Sequence, residues 1–435
     1  MKYFSLNHNA KDVSFLEAVV SGLAPDRGLY FPKEIPVLDQ AFIYNLRQYS
    51  DHEIAFQVIQ PFVGEDIPKE QLEKIVKDTL NFDFPIVKIT ENVAALELFQ
   101  GPTLAFKDVG ARFMARCLSH ANTVKERGKI TVLVATSGDT GGAVADGFYK
   151  VNGIDVVILY PKGKVSDIQE RQLTTLGQNI TALEVDGTFD DCQEMVKSAF
   201  IDIELIQKIA LTSANSINIA RWLAQMFYYF IAYKNRPNPD KKLVISVPSG
   251  NFGNLCAGLI ARQMGLPIDH FIASTNVNNT VPEYLESGEY APKKSIQTIS
   301  NAMDVGDPSN FIRIQKIFNN DFFKLKKTLS GFSYSDKQTE KAIKEIFDQK
   351  GYIADPHGAI GYLGLKAFVE SQEDPTSYQG IFLETAHPIK FANSVEKILN
   401  TQIQMPERLK GVLQKEKLSR PIDTYQELKS FLLTR

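Results

Sequence analysis

The spacing of apolar residues changes along the chain. Up to about residue 88, segments such as VSFLEAVVSGLA and EQLEKIVKDTLNF place apolar residues three and four positions apart, which predicts amphipathic helices. From about residue 130, short β-branched runs end in glycine turns and continue into helical patterns, as in KITVLVATSGDTGGAVADGFYKV. This alternation predicts parallel strands with crossover helices, and ligands of such sheets bind beyond the carboxyl ends of the strands.

The pattern predicts an α/β fold with two doubly wound lobes and an additional N-terminal domain. Residues 1–88 form the mostly helical N-terminal domain. Residues 89–235 and 236–435 form the first and second α/β lobe, and the segment YKNRPNPDKK is the predicted linker between them.

Composition excludes several classes of protein. The formal net charge of −3 and the scattered Lys and Arg residues provide no basic surface, so we expect no nucleic-acid partner. No segment reaches the roughly 18 apolar residues of a membrane span, and the N-terminus lacks the apolar run of a signal peptide. The three cysteines lie far apart, which fits neither a disulfide framework nor a zinc site. We expect a soluble cytoplasmic protein, either a monomer or a homodimer, without a metal.

Two glycine turns follow predicted strands and begin predicted helices. They are ATSGDTGG (135–142) and VPSGNFGN (247–254), and each can present backbone N–H groups and a helix N-terminus to an anion. Either one alone could be an ordinary tight turn. Neither contains GxxxxGK[ST] or GxGxxG, so the anions are not expected to be those of ATP or NAD.

A lysine with unusual neighbours lies before both turns. In QGPTLAFKDVGARFMA, Lys107 follows the apolar pair Ala105 and Phe106 at the start of a predicted helix. A solvated lysine is disfavoured at this position because the helix dipole favours anions there. Burial lowers the pKa of a lysine and makes its amine a usable nucleophile and base. Together with an anion-binding turn, Lys107 indicates a pyridoxal-phosphate site.

Six segments in the same order resemble the threonine synthase family. They are GPTLAFKDVGARFMA, ATSGDTGGAVADGF, SANSINIARWLAQ, SVPSGNFGN, SNAMDVGDPSNF and LETAHPIKF. The resemblance extends from GLAPDRGLYFP to TAHPIKF, and the long N-terminal region is similar to that of the bacterial and fungal branch. It implies the fold type II architecture of pyridoxal-phosphate enzymes and the activity of a carbon–oxygen lyase acting on phosphates.

The resemblance implies a set of cofactor-binding residues. Lys107 corresponds to the family's lysine that carries the cofactor as a Schiff base, and Thr385 corresponds to a threonine beside the pyridine nitrogen. Asp139 stands where shorter family members place an asparagine against the cofactor's 3-hydroxyl, and a carboxylate there would repel a phenolate unless one of them were protonated. The turn that would hold the cofactor phosphate consists of Gly250, Asn251, Phe252, Gly253 and Asn254.

The resemblance also implies a substrate and its contacts. O-Phospho-L-homoserine and water would give L-threonine and phosphate by β,γ-elimination and replacement, with Lys107 as the catalytic base. The substrate carboxylate would bind at the loop that contains Thr136, Ser137 and Thr140. The substrate phosphate would bind Asn215, Ser216 and Arg221, since a guanidinium suits a phosphate.

Two other functions are compatible with parts of this pattern. A serine/threonine dehydratase or a cysteine synthase of the same fold would also have the lysine and the phosphate turn, but would need no site for a substrate phosphate. The segment NSINIAR, which corresponds to that phosphate site, favours threonine synthase over these two enzymes. A non-catalytic ligand-binding module is the third possibility, and Lys107 argues against it. His357 and His387 lack the spacing of metal ligands, so we expect structural roles for them.

Overall fold

The N-terminal region combines a short sheet with four helices. The computed structural model describes residues 1–125 and 128–435 of the chain. Strands β1 (Tyr3–Ser5) and β2 (Tyr30–Pro32) pair in antiparallel orientation. The helices are α1 (Phe15–Ser21), α2 (Gln40–Tyr44), α3 (Asp51–Val63) and α4 (Lys69–Thr79). The helices agree with the prediction, which did not include the two-stranded sheet.

Two of these helices begin at a serine that is followed three positions later by a glutamate. Ser14 and Ser50 accept hydrogen bonds from the backbone N–H groups of Glu17 and Glu53, whose carboxylates accept the serine N–H groups in return. Each of these capping boxes satisfies two N–H groups that the helix itself cannot satisfy. Local sequence therefore sets where α1 and α3 begin.

A five-stranded parallel sheet forms the first lobe. In spatial order its strands are β13 (Ser419–Ile422), β7 (Ile180–Val185), β6 (Ile154–Pro161), β5 (Ile130–Ala135) and β8 (Ala210–Ser213). The helices of this part of the chain are α5 (Lys107–Lys125), α6 (Asp139–Phe148), α7 (Asp167–Thr174), α8 (Phe189–Ala199), α9 (Ile203–Lys208), α10 (Ile219–Leu223) and α11 (Met226–Asn235). Two C-terminal helices also belong here, α19 (Glu407–Leu413) against α7 and α20 (Tyr425–Leu433) against α8.

A six-stranded sheet forms the second lobe. In spatial order its strands are β11 (Leu329–Ser333), β10 (His270–Thr275), β9 (Lys242–Pro248), β12 (Tyr378–Glu384), β4 (Val93–Glu97) and β3 (Ile86–Lys88). All neighbours pair parallel except β3 and β4. The helices are α12 (Gly253–Gln263), α13 (Thr280–Ser287), α14 (Phe311–Ile317), α15 (Phe322–Thr328), α16 (Asp336–Lys350), α17 (Pro356–Glu370) and α18 (Ala392–Leu399).

The sheets do not follow the predicted boundaries near residues 89 and 236. Strands β3 and β4 precede the whole first lobe in sequence, yet they extend the sheet of the second lobe beside β12. Strand β13 lies near the C-terminus and pairs with β7 of the first lobe. Each lobe is therefore built from two separate stretches of the chain, because an edge strand joins the sheet whose edge it can pair with.

The central parallel strands are buried along their whole length. All residues of β5 and β6 are buried, as expected when helices cover both faces of a parallel sheet. The faces of this sheet are therefore covered, and ligands of such sheets bind beyond the carboxyl ends of the strands. None of the helices in residues 1–125 and 128–435 combines the length and the apolar character that a membrane crossing requires.

Candidate functional site

One cavity lies where the carboxyl ends of strands from both lobes converge. Its wall includes Ala135 at the end of β5, Pro248 at the end of β9 and Thr385 directly after β12. Ligands of open α/β sheets bind in this position. The wall also contains most of the site residues that the sequence predicts: Lys107, Ser137, Asp139, Thr140, Asn215, Ser216, Arg221, Gly250, Asn251, Phe252, Gly253 and Asn254.

Lys107 is brought to the cavity by the segment that joins β4 to α5. The backbone N–H of Phe106 donates to the carbonyl of Thr385 at 2.9 Å, which ties this segment to the end of β12. Leu104 has a left-handed φ of 61°, where the chain turns before the helix. Burial lowers the pKa of the Lys107 ammonium to about 8, although the Asp139 carboxylate opposes the shift. An amine with this pKa is partly unprotonated near neutral pH and can act as a nucleophile or base.

Other residues of the GPTLAFKD motif fix the loop that precedes Lys107. The Asp108 carboxylate is buried, and it accepts hydrogen bonds from the backbone N–H of Thr103 at 2.9 Å and from its hydroxyl at 2.5 Å. A Cβ at Gly101 would collide with that same carboxylate. Asp108 thus holds the loop that precedes α5, and Gly101 leaves the space that the carboxylate occupies.

The loop after β5 separates Thr136 from the other predicted residues. Ser137 and Thr140 line the cavity, whereas Thr136 is fully buried outside its wall. The Thr136 hydroxyl accepts hydrogen bonds from the backbone N–H groups of Gly138 at 2.9 Å and Gly141 at 2.8 Å. The hydroxyl oxygen of Thr136 therefore shapes the loop, and its contact with the substrate carboxylate stays a prediction.

Asp139 has a partner that the sequence analysis missed. The Lys390 ammonium lies 2.6 Å from the Asp139 carboxylate and donates to the Thr103 carbonyl at 2.9 Å. Gln169 donates a further hydrogen bond to Asp139 at 3.0 Å. Although burial opposes ionisation, Lys390 and then Lys107 hold the pKa of Asp139 well below its ordinary value. Asp139 is therefore a carboxylate in an ion pair. The sequence gives no signal for this ion pair, because Lys390 in TAHPIKF is far along the chain from Asp139 in ATSGDTGG.

The second glycine turn lies between β9 and the N-terminus of α12. Phe252 has a left-handed φ of 61°, a strained conformation for a large side chain. A Cβ at Gly250 would lie 2.7 Å from the Ala302 carbonyl, and a Cβ at Gly253 would lie 3.2 Å from the Cβ of Ser216. The turn is therefore closely surrounded by backbone and side-chain atoms, and it presents the first N–H groups of an 11-residue helix to the cavity.

The segment NSINIAR contributes a buried cation to the cavity. Arg221 is 2% exposed, and its Nη1 donates to the Ala214 carbonyl. Within the described part of the chain, its Nε has no hydrogen-bond partner. Burial lowers the pKa of Arg221 to about 10, which leaves it charged at neutral pH. Beside it, the Ser216 hydroxyl accepts from Asn310 at 3.2 Å, and Asn215 also lines the wall. This group can receive an anion.

His357 in the cavity wall is grouped with two buried carboxyl groups, those of Asp355 and Glu384. His357 lines the cavity, and its Nδ1 lies 2.5 Å from the Asp355 carboxylate. Its Nε2 accepts a hydrogen bond from the backbone N–H of Ala302 at 3.3 Å. Burial and the nearby Asp355 raise the pKa of Glu384 well above its ordinary value. His357 therefore orients the loop at Ala302 from a position in the cavity wall, a placement that the sequence analysis did not predict.

His387, the other histidine for which the sequence predicts a structural role, contacts the backbone of its own turn. The Nδ1 of His387 accepts the backbone N–H of Ile389 at 3.1 Å, so the ring caps a short turn. In the described residues, no group of three or more His, Cys, Asp or Glu side chains is arranged to hold a metal ion.

The sequence matches three protein families along nearly its whole length. Residues 88–377 match the family described as pyridoxal-phosphate dependent enzyme, residues 2–80 match the threonine synthase N terminus, and residues 358–432 match the threonine synthase C-terminal family. A threonine synthase of Haemophilus influenzae is 47% identical over 435 residues, which covers 100% of both chains.

Solved structures agree with these matches. The crystal structure of threonine synthase from Escherichia coli superposes with a TM-score of 0.93 at 42% identity and covers 100% of both chains. The pyridoxal-phosphate-bound threonine synthase of Brucella melitensis has a TM-score of 0.92 at 34% identity, over 100% of this chain and 99% of that one.

Proposed function

The chain belongs to the threonine synthase family of pyridoxal-phosphate-dependent enzymes, and we propose that it converts O-phospho-L-homoserine and water into L-threonine and phosphate. One observation carries the substrate assignment. The cavity that contains the Lys107 amine also contains the buried Arg221 guanidinium, whose Nε has no partner in the described part of the chain. A buried cation with an unused donor can bind an anion, and a phosphate on the substrate supplies one.

The residues of the cavity fit pyridoxal phosphate. The turn from Gly250 to Asn254 offers backbone N–H groups and a helix N-terminus for the cofactor phosphate. Lys107 offers an amine whose pKa burial lowers to about 8, suited to bond with an aldehyde carbon. Thr385 lies in the same wall and would offer its hydroxyl to the pyridine nitrogen of the cofactor. When bound, the cofactor stabilises negative charge that develops on the substrate's α-carbon.

Lys107 serves two roles in this proposal. It holds the cofactor between turnovers, and during the reaction its free amine removes the proton from the substrate Cα and later returns it. In between, a proton leaves Cβ and phosphate leaves Cγ. Protonation at Cγ and addition of water at Cβ then complete threonine, so that O-phosphohomoserine and water balance threonine and phosphate.

Two groups of side chains hold the ends of the substrate. Ser137 and Thr140, beside the first N–H groups of the 10-residue helix α6, receive the carboxylate. Asn215, Ser216 and Arg221 receive the phosphate. Thr136 acts behind them by shaping the loop. Holding both ends fixes the Cα–H bond relative to Lys107, which favours proton transfer over loss of substrate.

The competing proposal is a serine/threonine dehydratase of the same fold. Its substrates carry no phosphate, so the group formed by Asn215, Ser216 and Arg221 would have no substrate anion to bind. The experiment is to incubate purified, cofactor-loaded protein with O-phospho-L-homoserine and to measure inorganic phosphate and threonine. We expect equimolar formation of both. A protein that forms ammonia and a 2-oxo acid from serine or threonine, and releases no phosphate from O-phosphohomoserine, would favour the dehydratase.

A further inference from the structure

A second lysine lies behind the cavity, in contact with a residue of its wall. Lys390 is on the short helical turn Pro388–Phe391 that follows Thr385, and its side chain is fully buried. Its ammonium lies 2.6 Å from the Asp139 carboxylate and 2.9 Å from the Thr103 carbonyl. The contact therefore joins the turn after β12 to the first residue of α6 and to the loop that precedes Lys107.

Two lysines are thus placed around one carboxylate. Asp139 lines the same cavity as Lys107 and draws the Lys107 amine toward its charged form, while Arg221 and Lys390 act in the opposite direction. A buried carboxylate is stable only when it is paired. Lys390 is the lysine in ionic contact with Asp139. A lysine that is paired in this way is held as an ammonium, which has no lone pair for reaction with an aldehyde.

We infer that Lys390 is a positioning residue that engages the Asp139 carboxylate so that the Lys107 amine stays available to the cofactor. The Lys390–Asp139 ion pair has no net charge. Asp139 can therefore line the cavity while its carboxylate is bound to Lys390 and not to Lys107. The inference rests on the cofactor site of the proposed function and is independent of which substrate the enzyme takes.

The proposal predicts shifts of opposite sign for two variants. In Lys390→Met the Asp139 carboxylate loses its partner and pairs with Lys107, which raises the pH at which the amine becomes reactive. In Asp139→Asn the attraction on Lys107 is gone while Lys390 remains charged, which lowers that pH. A purely structural role for the ion pair would impair both variants in the same direction.

The experiment measures how apoprotein takes up pyridoxal phosphate as a function of pH, followed by the visible absorbance of the bound cofactor. For Lys390→Met we expect the midpoint to rise by about one pH unit, which corresponds to a roughly tenfold slower uptake at neutral pH. For Asp139→Asn we expect a lower midpoint. The double variant Lys390→Met/Asp139→Asn should recover uptake to within about threefold of Asp139→Asn alone.

Lys234 provides a matched control outside the cavity. Its ammonium lies 2.6 Å from the Asp51 carboxylate and 2.9 Å from the Tyr49 carbonyl. Lys390 makes the same two kinds of contact, one with a carboxylate and one with a backbone carbonyl. Lys234→Met should leave the midpoint of cofactor uptake unchanged. The melting temperature of each apoprotein shows whether it is folded.

Three results would overturn the inference. They are a normal midpoint in Lys390→Met, equal losses in Lys390→Met and the double variant, or a shift of the same sign in Lys390→Met and Asp139→Asn. If Lys390→Met does not fold, the sign of the shift in Asp139→Asn alone decides, because a midpoint that rises or stays constant contradicts the proposal. Wild-type protein that takes up no cofactor would instead refute the cofactor site itself.

Discussion

Replacing Arg221 by leucine tests the substrate phosphate site most directly. Arg221 is 2% exposed, and its guanidinium uses Nη1 on the Ala214 carbonyl while Nε has no partner in the described residues. Leucine occupies part of the same space without charge or donors. The variant therefore removes the contact that we propose for the phosphate of O-phosphohomoserine and leaves Lys107 in place.

The size of the effect follows from the contact that is lost. A hydrogen bond to a charged group contributes about 1.5 to 3 kcal/mol, and each 1.4 kcal/mol corresponds to a factor of ten. If the contact persists in the transition state, kcat/KM for O-phosphohomoserine should fall between about tenfold and about 150-fold. The Ala214 carbonyl also loses its donor, which we expect to lower the melting temperature modestly.

The assay compares two substrates on the same protein. Phosphate release from O-phosphohomoserine reports the contact, while slow dehydration of serine serves as the control because serine has no phosphate. Cofactor absorbance and the melting temperature show whether the site and the fold remain intact. We expect a selective loss on O-phosphohomoserine, with serine turnover nearly unchanged.

A second buried arginine supplies the matched variant. Arg313 is also fully buried, but its guanidinium donates to the carbonyls of Tyr30, Ser216 and Ile217 and to the side-chain oxygen of Asn310. Arg313→Leu should therefore lower the melting temperature, and because it also loosens Ser216, it shows how far a disturbed phosphate site lowers turnover while Arg221 is still present. If Arg221→Leu instead lowers turnover of both substrates equally, then Arg221 supports the fold and the phosphate-site reasoning is refuted.

Three further predictions follow from the same site. Lys107→Ala should abolish turnover, since both the cofactor anchor and the base are removed, and activity within tenfold of wild type would refute its role. Gly250→Ala should weaken cofactor retention after dialysis, because the new Cβ lies 2.7 Å from the Ala302 carbonyl, whereas Gly411→Ala meets no atom within 4 Å and should retain the cofactor. Burial lowers the pKa of Lys107 from 10.5 to about 8, so between these values the unfolded chain binds more protons than the folded one. Wild-type apoprotein should therefore gain stability relative to Lys107→Met as the pH rises from 8 to 10, and a relative loss in thermal denaturation would contradict this.

Residues close together in the chain could be identified from the sequence. A lysine behind an apolar pair and two glycine turns that follow strands are local patterns, because the backbone conformations they need depend on neighbouring residues. The family resemblance then named their chemistry. The cavity brings together Lys107, the turn at Gly250 and the segment with Arg221, although their individual roles remain predictions.

Contacts between distant segments could not be identified in this way. The sequence predicts that Thr136 binds the substrate, whereas in the fold Thr136 lies outside the cavity wall and its hydroxyl oxygen accepts two backbone N–H groups of its own loop. The sequence shows Asp139 as a carboxylate without an identified partner. In the fold its partner is Lys390, which lies on a turn near the other end of the chain.

The sequence by itself determined the alternation of strands and helices, the positions of the glycine turns and Lys107 as the candidate reactive lysine. These features depend on periodicity and on local backbone chemistry, which a single stretch of chain contains. Only the tertiary structure decided that β3 and β4 join the second lobe, that β13 joins the first, and that Lys390 neutralises Asp139. Sheet edges pair with whichever strand reaches them, and a buried charge pairs with whichever opposite charge the fold brings within contact, so neither partner is encoded near the residue that needs it.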